Sequence, residues 1–230
     1  MSMNYENQIY ERTIQLIGEE AFEKLQRTRV ILFGAGGVGG WCAEALIRTG
    51  IGKLSIVDFD TVAPSNLNRQ LVATQDTLGK PKAEALAARL KSICPGADIT
   101  AINARYTKET AEQFRIEDYD YVIDAIDQVE DKMDLILRVS ATEGVTLFSS
   151  MGAGRKTDTT QIRVAEFGKV EGCPLARALR TRMRKEKKWP SRKFRCAYSP
   201  ELSGQSGTIA PVVGVFGMTL ADLVIRDLVH

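Results

Sequence analysis

The chain has 230 residues, 44% hydrophobic and 26% charged, with a formal net charge of +2, enough apolar material for a substantial core within the usual size of one domain. Its four cysteines, Cys42, Cys94, Cys173 and Cys196, form no CxxC pair, which argues against a zinc site or redox dithiol and fits reduced thiols in a cytoplasm. The opening MSMNYENQ lacks a signal-peptide core, and the most apolar late stretch carries Asp222, Arg226 and Asp227, so no membrane span is expected.

Ile9, Leu16, Ile17, Phe22 and Leu25 recur at roughly helical spacing, so the first 25 residues read as an amphipathic helix or a helical pair. Short apolar runs then predict strands at 29–33, 53–57, 98–102, 120–124 and 145–149, alternating with helices at 37–49, 80–93, 108–114 and 130–143. Such alternation calls for an α/β fold, a Rossmann-like, mostly parallel sheet with helices on both faces. Past Gly152 the pattern changes. Two strand-like runs, 161–165 and 194–198, bracket a basic helix over 174–188, and a last helix spans about 209–228. Antiparallel strands are therefore expected to extend the sheet in the C-terminal half, with SGQSG, 203–207, as a mobile loop.

Gly34, Gly36 and Gly39, with Gly37 between them, end a strand and open a helix, the context that a GxGxxG phosphate turn requires. Glycine admits positive φ and close backbone approach, and the free N–H groups of a new helix present partial positive charge to a phosphate. Asp58 ends the second strand nineteen residues beyond Gly39, where a carboxylate can accept from ribose hydroxyls. These residues alone suit a nicotinamide-dependent oxidoreductase, or tight strand-to-helix packing without a ligand.

The continuation DFDTVAPSNLNRQ, 58–70, and LGKPKAEAL, 78–86, has no evident use in a dehydrogenase. Asn66, Arg69 and Lys82 follow the second strand and could converge on phosphates held by the glycine turn. Such a cluster suits displacement at the α-phosphorus of a triphosphate, where negative charge builds up and fixed cations meet it. Asp127 lies just past the strand ending near Asp124, placed to hold magnesium at the carboxyl edge of the sheet, while Asp124 is expected to be structural.

In order and spacing, GAGGVGG, DFDTVAPSNLNRQ, LGKPKAEAL and VIDAIDQ resemble the ubiquitin-activating-enzyme-like adenylyltransferase superfamily over roughly residues 10–145. The resemblance implies binding of ATP with Mg2+ and attack of a carboxylate on the α-phosphate, giving an acyl-adenylate and pyrophosphate. It implies that Asp58 holds the ribose, Asn66 and Arg69 contact phosphates, Lys82 neutralises charge near the α-phosphate and Asp127 engages magnesium. Asp60 either orients the loop or only caps it. Arg12, in YERTIQL, resembles the arginine that reaches into the neighbouring subunit's ATP site in family dimers, which implies a homodimer.

RTIQLIGEEAFEKL, SSMGAGRKTDTTQIRVAE, PLARALRTRMRK and CAYSPE extend the resemblance over nearly the whole chain, toward the branch that acts on threonylcarbamoyladenosine of tRNA. That branch activates the threonylcarbamoyl carboxylate and closes it into a ring. The alternative substrate is the C-terminal glycine of a ubiquitin-like sulfur carrier, and a sulfur-transfer protein is a further partner the resemblance admits. The chain divides on this reading into an N-terminal helical segment, 1–28, an ATP-binding core, 29–150, and a substrate- and RNA-facing elaboration, 151–230, within a single domain.

Between Arg177 and Arg195 ten cations face only Glu186, a net +9 that leaves the remainder of the chain at −7. Such a run is either a solvated helix or a contact for a polyanion. With tRNA as substrate, Arg177, Arg180, Arg184, Lys188 and Arg192 are assigned to the anticodon arm. Cys196 is expected to pack rather than to form a thioester, because the ring-closing nucleophile already belongs to the substrate. The single histidine, His230, leaves no material for a Ser/His/Asp triad or a histidine metal centre.

Overall fold

The computed structural model describes residues 8–202 and 204–230. The opening heptapeptide and Ser203, the first residue of SGQSG, lie outside the described residues. Two short helices, α1 (Glu11–Ile17) and α2 (Glu19–Arg27), meet at Gly18, whose φ of 84° is open to glycine at little cost; the opening pattern is thus a helical pair. The chain continues through β1 (Arg29–Phe33), α3 (Gly37–Thr49), β2 (Lys53–Val57), α4 (Lys82–Ile93) and β3 (Asp98–Ile102). It then returns to the middle of the sheet as β4 (Tyr121–Asp124), followed by α5 (Val129–Ala141) and β5 (Thr146–Ser150).

The second half adds β6 (Arg163–Glu166), α6 (Pro174–Lys185), β7 (Arg195–Tyr198) and the 20-residue α7 (Ala210–Val229). Among the described residues seven strands form one sheet in the order β3-β2-β1-β4-β5-β7-β6. Every neighbouring pair is parallel except β6 with β7, so β7 continues the parallel sheet and β6 closes its edge antiparallel. Because β2 and β3 lie to one side of β1 and β4 to the other, the connections leaving β1 and β4 diverge and open a crevice at their carboxyl ends.

Alternation along β1 divides the core between the two faces of the sheet. Val30 and Leu32 join Leu46 and Ile47 of α3 and Val212 and Phe216 of α7, whereas Ile31 and Phe33 pack with Ile136 of α5 and Leu179 of α6. A strand buried on both faces reads as a continuous apolar run, as RVILF does. Among the described residues no helix is long and apolar enough to cross a membrane.

Two expected helices differ. The segment 108–114 holds only a 3-10 turn, Ala111–Phe114. Thr110 Oγ1 accepts from Thr107 N–H at 2.9 Å and donates to Arg105 O at 2.8 Å, a local pattern that competes with helical bonding, and Arg115 at φ 42° ends the turn. The basic helix stops at Lys185, because Lys187 takes φ 53° and Lys188 N–H turns back to Met183 O at 2.9 Å.

Gly217 sets how closely α7 approaches α3, since a Cβ there would lie 2.5 Å from Val38 O and 2.7 Å from Trp41 Cβ. Gly217→Ala is expected to force the helices apart at a cost of roughly 1–3 kcal/mol, lowering the melting temperature by about 3–10 °C. Gly168→Ala, where a Cβ meets nothing within 4 Å, is the matched control; equal melting of the two variants would contradict this packing.

Candidate active site

At the carboxyl edge of the central strands lies a cavity of about 540 Å³ whose lining includes Gly34, Gly36 and Gly37. The glycines divide by role. Gly34 has φ 95°, and a Cβ on it would stand 2.7 Å from Ala125 O; a Cβ on Gly39 would stand 1.8 Å from Gly34 O. These two let β1, the turn and α3 fold tightly beside β4, and Gly39 does not itself line the cavity. At Gly36 a Cβ would meet only Gln70 Nε2, at 3.9 Å, so this glycine keeps the cavity floor bare rather than relieving a clash. The first N–H groups of α3 have no partner within the helix and carry the positive end of its dipole.

Asp58 ties the turn to the end of β2. Its Oδ2 accepts from Ala35 N–H at 2.6 Å and its Oδ1 from Asp60 N–H at 2.8 Å. Burial pushes the carboxyl above its ordinary value, against the opposing pull of these two N–H groups and the nearby Lys82 charge. A carboxylate has lone pairs beyond the two so used, and Asp58 lines the cavity.

Three cations line the same space, and one of them, Arg105, is paired with Asp131 at 2.9 Å. Lys82 opens α4, is 6% exposed, and places Nζ 2.8 Å from Asp60 Oδ2. Asp60, with half its side chain exposed, therefore holds Lys82 as well as capping its backbone: Lys82 N–H donates to Asp60 O at 2.8 Å. Arg69 donates through Nη1 to Ser65 O and Asn68 Oδ1, both at 2.8 Å. Asn66, expected at the phosphates, does not line the cavity; buried, it accepts from Ala63 N–H at 3.0 Å and shapes the turn that carries Arg69. With Gln128 just ahead of α5 in the lining, the N-termini of α3, α4 and α5 all face one space, which favours an anion there.

Asp127 is exposed on the cavity wall with no partner among the described residues. No group of three or more His, Cys, Asp or Glu side chains that could hold a metal occurs among the described residues. Magnesium is commonly held by one or two carboxylates together with substrate phosphates, so a single free carboxylate beside an anion site fits that ion rather than one needing a protein cage.

Beneath the Asp127 loop lies a buried pair. Lys132 and Asp124, both fully buried, meet at 2.7 Å. Lys132 Nζ donates to Ile126 O at 3.0 Å, Asp124 Oδ1 accepts from Ile126 N–H at 3.1 Å, and Ser149 Oγ donates to Asp124 Oδ2 at 2.7 Å. Ile126 is thus gripped at both ends of its backbone, immediately before Asp127. Asp124 is structural as expected; Lys132 went unnoticed, although it shares the inward register of Leu135, Ile136 and Val139 on α5. Gln70 was also missed. It is buried on the cavity wall, and its Oε1 has no hydrogen-bond partner among the described residues.

The basic segment is sorted by the fold. Arg177 and Arg184 are exposed, and Lys188 is paired with Glu186 at 3.3 Å. Arg180 turns inward, donating to Phe167 O and Val170 O, and Arg192 donates to Ser140 O and Val139 O near the end of α5. Arg12 stands exposed on α1, outside the cavity lining. All four cysteines are buried, and burial pushes the Cys196 thiol up, so it stays protonated and packs.

The model of the ThiF family matches residues 10–230. The chain belongs to the ThiF family. Among ThiF relatives, a tRNA threonylcarbamoyladenosine dehydratase of Bacillus subtilis is 41% identical over 177 residues, 77% of this chain and 69% of the relative. The Escherichia coli protein of that name is 39% identical over 174 residues, 76% of this chain and 65% of the relative. The chain thus aligns with about two thirds of each bacterial relative. The crystal structure of E. coli tRNA N6-threonylcarbamoyladenosine dehydratase, TcdA, in complex with ATP matches at TM-score 0.91 and 33% identity, covering 96% of this chain and 94% of that one.

Removing one member of a buried ion pair leaves the other charge uncompensated, which costs about 3–5 kcal/mol, whereas removing both can be close to neutral. Urea unfolding of Lys132→Met is expected to show a loss of that size, and Asp124→Asn/Lys132→Met to regain most of it. A Lys132→Met protein as stable as wild type would show that the pair does not hold the loop.

Proposed function

We propose that this chain uses ATP to dehydrate N6-threonylcarbamoyladenosine in tRNA. The observation that carries the reading is the meeting of Arg69, Lys82 and three helix N-termini in one cavity, within a fold that matches an ATP-bound dehydratase over nearly its whole length. ATP enters as a substrate, its ribose on the free lone pairs of Asp58 and its phosphates on the bare turn at Gly36 and Gly37. Gln70 lines the same cavity, its Nε2 beside the bare turn at Gly36.

The threonylcarbamoyl carboxylate attacks the α-phosphorus and pyrophosphate leaves, with Arg69 and Lys82 meeting the charge that accumulates. Lys82 serves best if it exchanges Asp60 for the phosphate at that step. The carbamoyl nitrogen then attacks the activated acyl carbon, loses its proton, and expels AMP, which carries away the former carboxylate oxygen. Asp127 would hold magnesium, which supplies charge neutralisation on the phosphates. No thiol is needed, in keeping with buried Cys196.

Residues 29–150 hold the nucleotide and 151–230 face the RNA, with Arg177, Arg184 and Lys188 as the phosphate contacts. Arg180 and Arg192 support the fold instead. Arg12 reaches a second copy's cavity in a homodimer, and the chain works in the cytoplasm.

Pyrophosphate release should require tRNA bearing threonylcarbamoyladenosine and should not appear with a sulfur-carrier protein or with neither. Arg69→Ala and Lys82→Ala should each slow it by about 10²–10³-fold, the usual cost of a lost transition-state charge donor, with melting little changed. Release stimulated by the carrier protein alone, or full activity in either variant, would reject this function or this mechanism respectively.

A further inference from the structure

Trp189, just beyond the basic helix, is 49% exposed and rests on an aromatic base. Its indole rests on Phe167, ring centroids 5.8 Å apart, and Phe167 stacks on Phe194 at 5.1 Å. Arg180 lies over Phe167 at 5.9 Å and bonds the carbonyls on either side of that turn, so this inward-facing arginine clamps the aromatic base.

The backbone is held on both sides of the indole. Before it, Lys187 adopts φ 53°, which side chains rarely accept, while Lys187 N–H bonds Arg184 O at 3.2 Å. After it, Ser191 N–H donates to Ser140 Oγ at 3.0 Å and Arg192 anchors on the end of α5. A strained turn followed by an anchor presents one face of the ring to solvent at little further entropic loss on binding.

The same basic segment supplies cations. Arg177, Arg184, Lys185 and Lys187 are exposed and have no acidic partner among the described residues. Protein–protein interface cores are depleted in lysine and charge, whereas single-stranded nucleic acid is bound by aromatic platforms interleaved with cations. The helix also sets a distance. Leu175 of α6 lines the cavity, and ten residues on, at 1.5 Å each, Lys185 lies about 15 Å away. That is the axial length of about four stacked nucleotides at about 3.4 Å each.

We propose that Trp189 is a stacking platform for an unpaired base of the RNA substrate, near the nucleotide that occupies the cavity. This rests on the tRNA reading above and adds to it a specific aromatic contact that charge alone does not supply. The exposed cations of the same segment hold the backbone while the indole takes the base.

The test is binding of threonylcarbamoylated tRNA to the full chain by filter retention over a series of salt concentrations. Trp189→Ala is expected to weaken binding about tenfold, within the range for a lost stacking partner, with the salt slope unchanged. Trp189→Phe should retain most of the affinity. Arg184→Ala should instead weaken binding and lower the slope by about one. Should Trp189→Ala melt early, Trp189→Leu fills the site without a π face and should bind as weakly. Full affinity in the Ala and Leu variants, with wild type binding tightly, overturns the platform alone. Wild type that binds no tRNA overturns both the platform and the substrate reading.

Discussion

Nothing larger than hydrogen fits between Gly39 and the carbonyl oxygen of Gly34, where a Cβ would come within 1.8 Å. That contact draws the start of α3 down onto the carboxyl end of β1, beside the diverging β4. Asp58 then completes the junction by taking the Ala35 N–H at 2.6 Å. The free N–H groups of α3 are consequently presented at the one place where the sheet opens, and the other site residues are arranged around them. A side chain at Gly39 would displace the whole helix end, whereas one at Gly36 would only occupy the space meant for a ligand.

Charge is managed differently on the cavity wall and in the core beneath it. On the cavity wall, Lys82 is itself buried but is held by an acidic partner whose side chain is half exposed, so the carboxylate left behind when the ammonium turns to a stronger anion can be hydrated. In the interior, Lys132 and Asp124 have no access to water, and their pairing serves to fix a backbone segment. The same ion-pair chemistry therefore gives an exchangeable cation in one place and a rigid support in the other. Three helix N-termini add to the field without contributing any group that must be deprotonated or moved.

Most of the sheet and the centre of the site were legible because they are written in local spacing. Apolar runs of five residues with turn residues between them gave the strands, and the distance from Gly39 to Asp58 placed the carboxylate. The resemblance of DFDTVAPSNLNRQ and LGKPKAEAL then turned a generic nucleotide turn into an adenylation site. Features made by tertiary partners were hidden. Asn66 has the composition of a phosphate ligand, but its Oδ1 is taken by Ala63 N–H and it lies outside the cavity lining; Arg180 and Arg192 look like their exposed neighbours, but backbone carbonyls accept from them. The helix expected over 108–114 was lost to threonine side-chain bonds. Lys132 left one trace that could have been followed, a lysine in the buried register of an amphipathic helix, where a charge requires a partner.

The central claim is that a carboxylate oxygen of the RNA becomes bonded to phosphorus before the ring closes. Labelling both carboxylate oxygens of threonylcarbamoyladenosine in tRNA with oxygen-18 and analysing the AMP by mass spectrometry after a single turnover tests it without reliance on any variant. One labelled oxygen should appear in the AMP phosphate for each ring formed. Cyclised tRNA accompanied by unlabelled AMP would mean that the oxygen leaves by another route, and the account of the cavity as an adenylation site would be wrong.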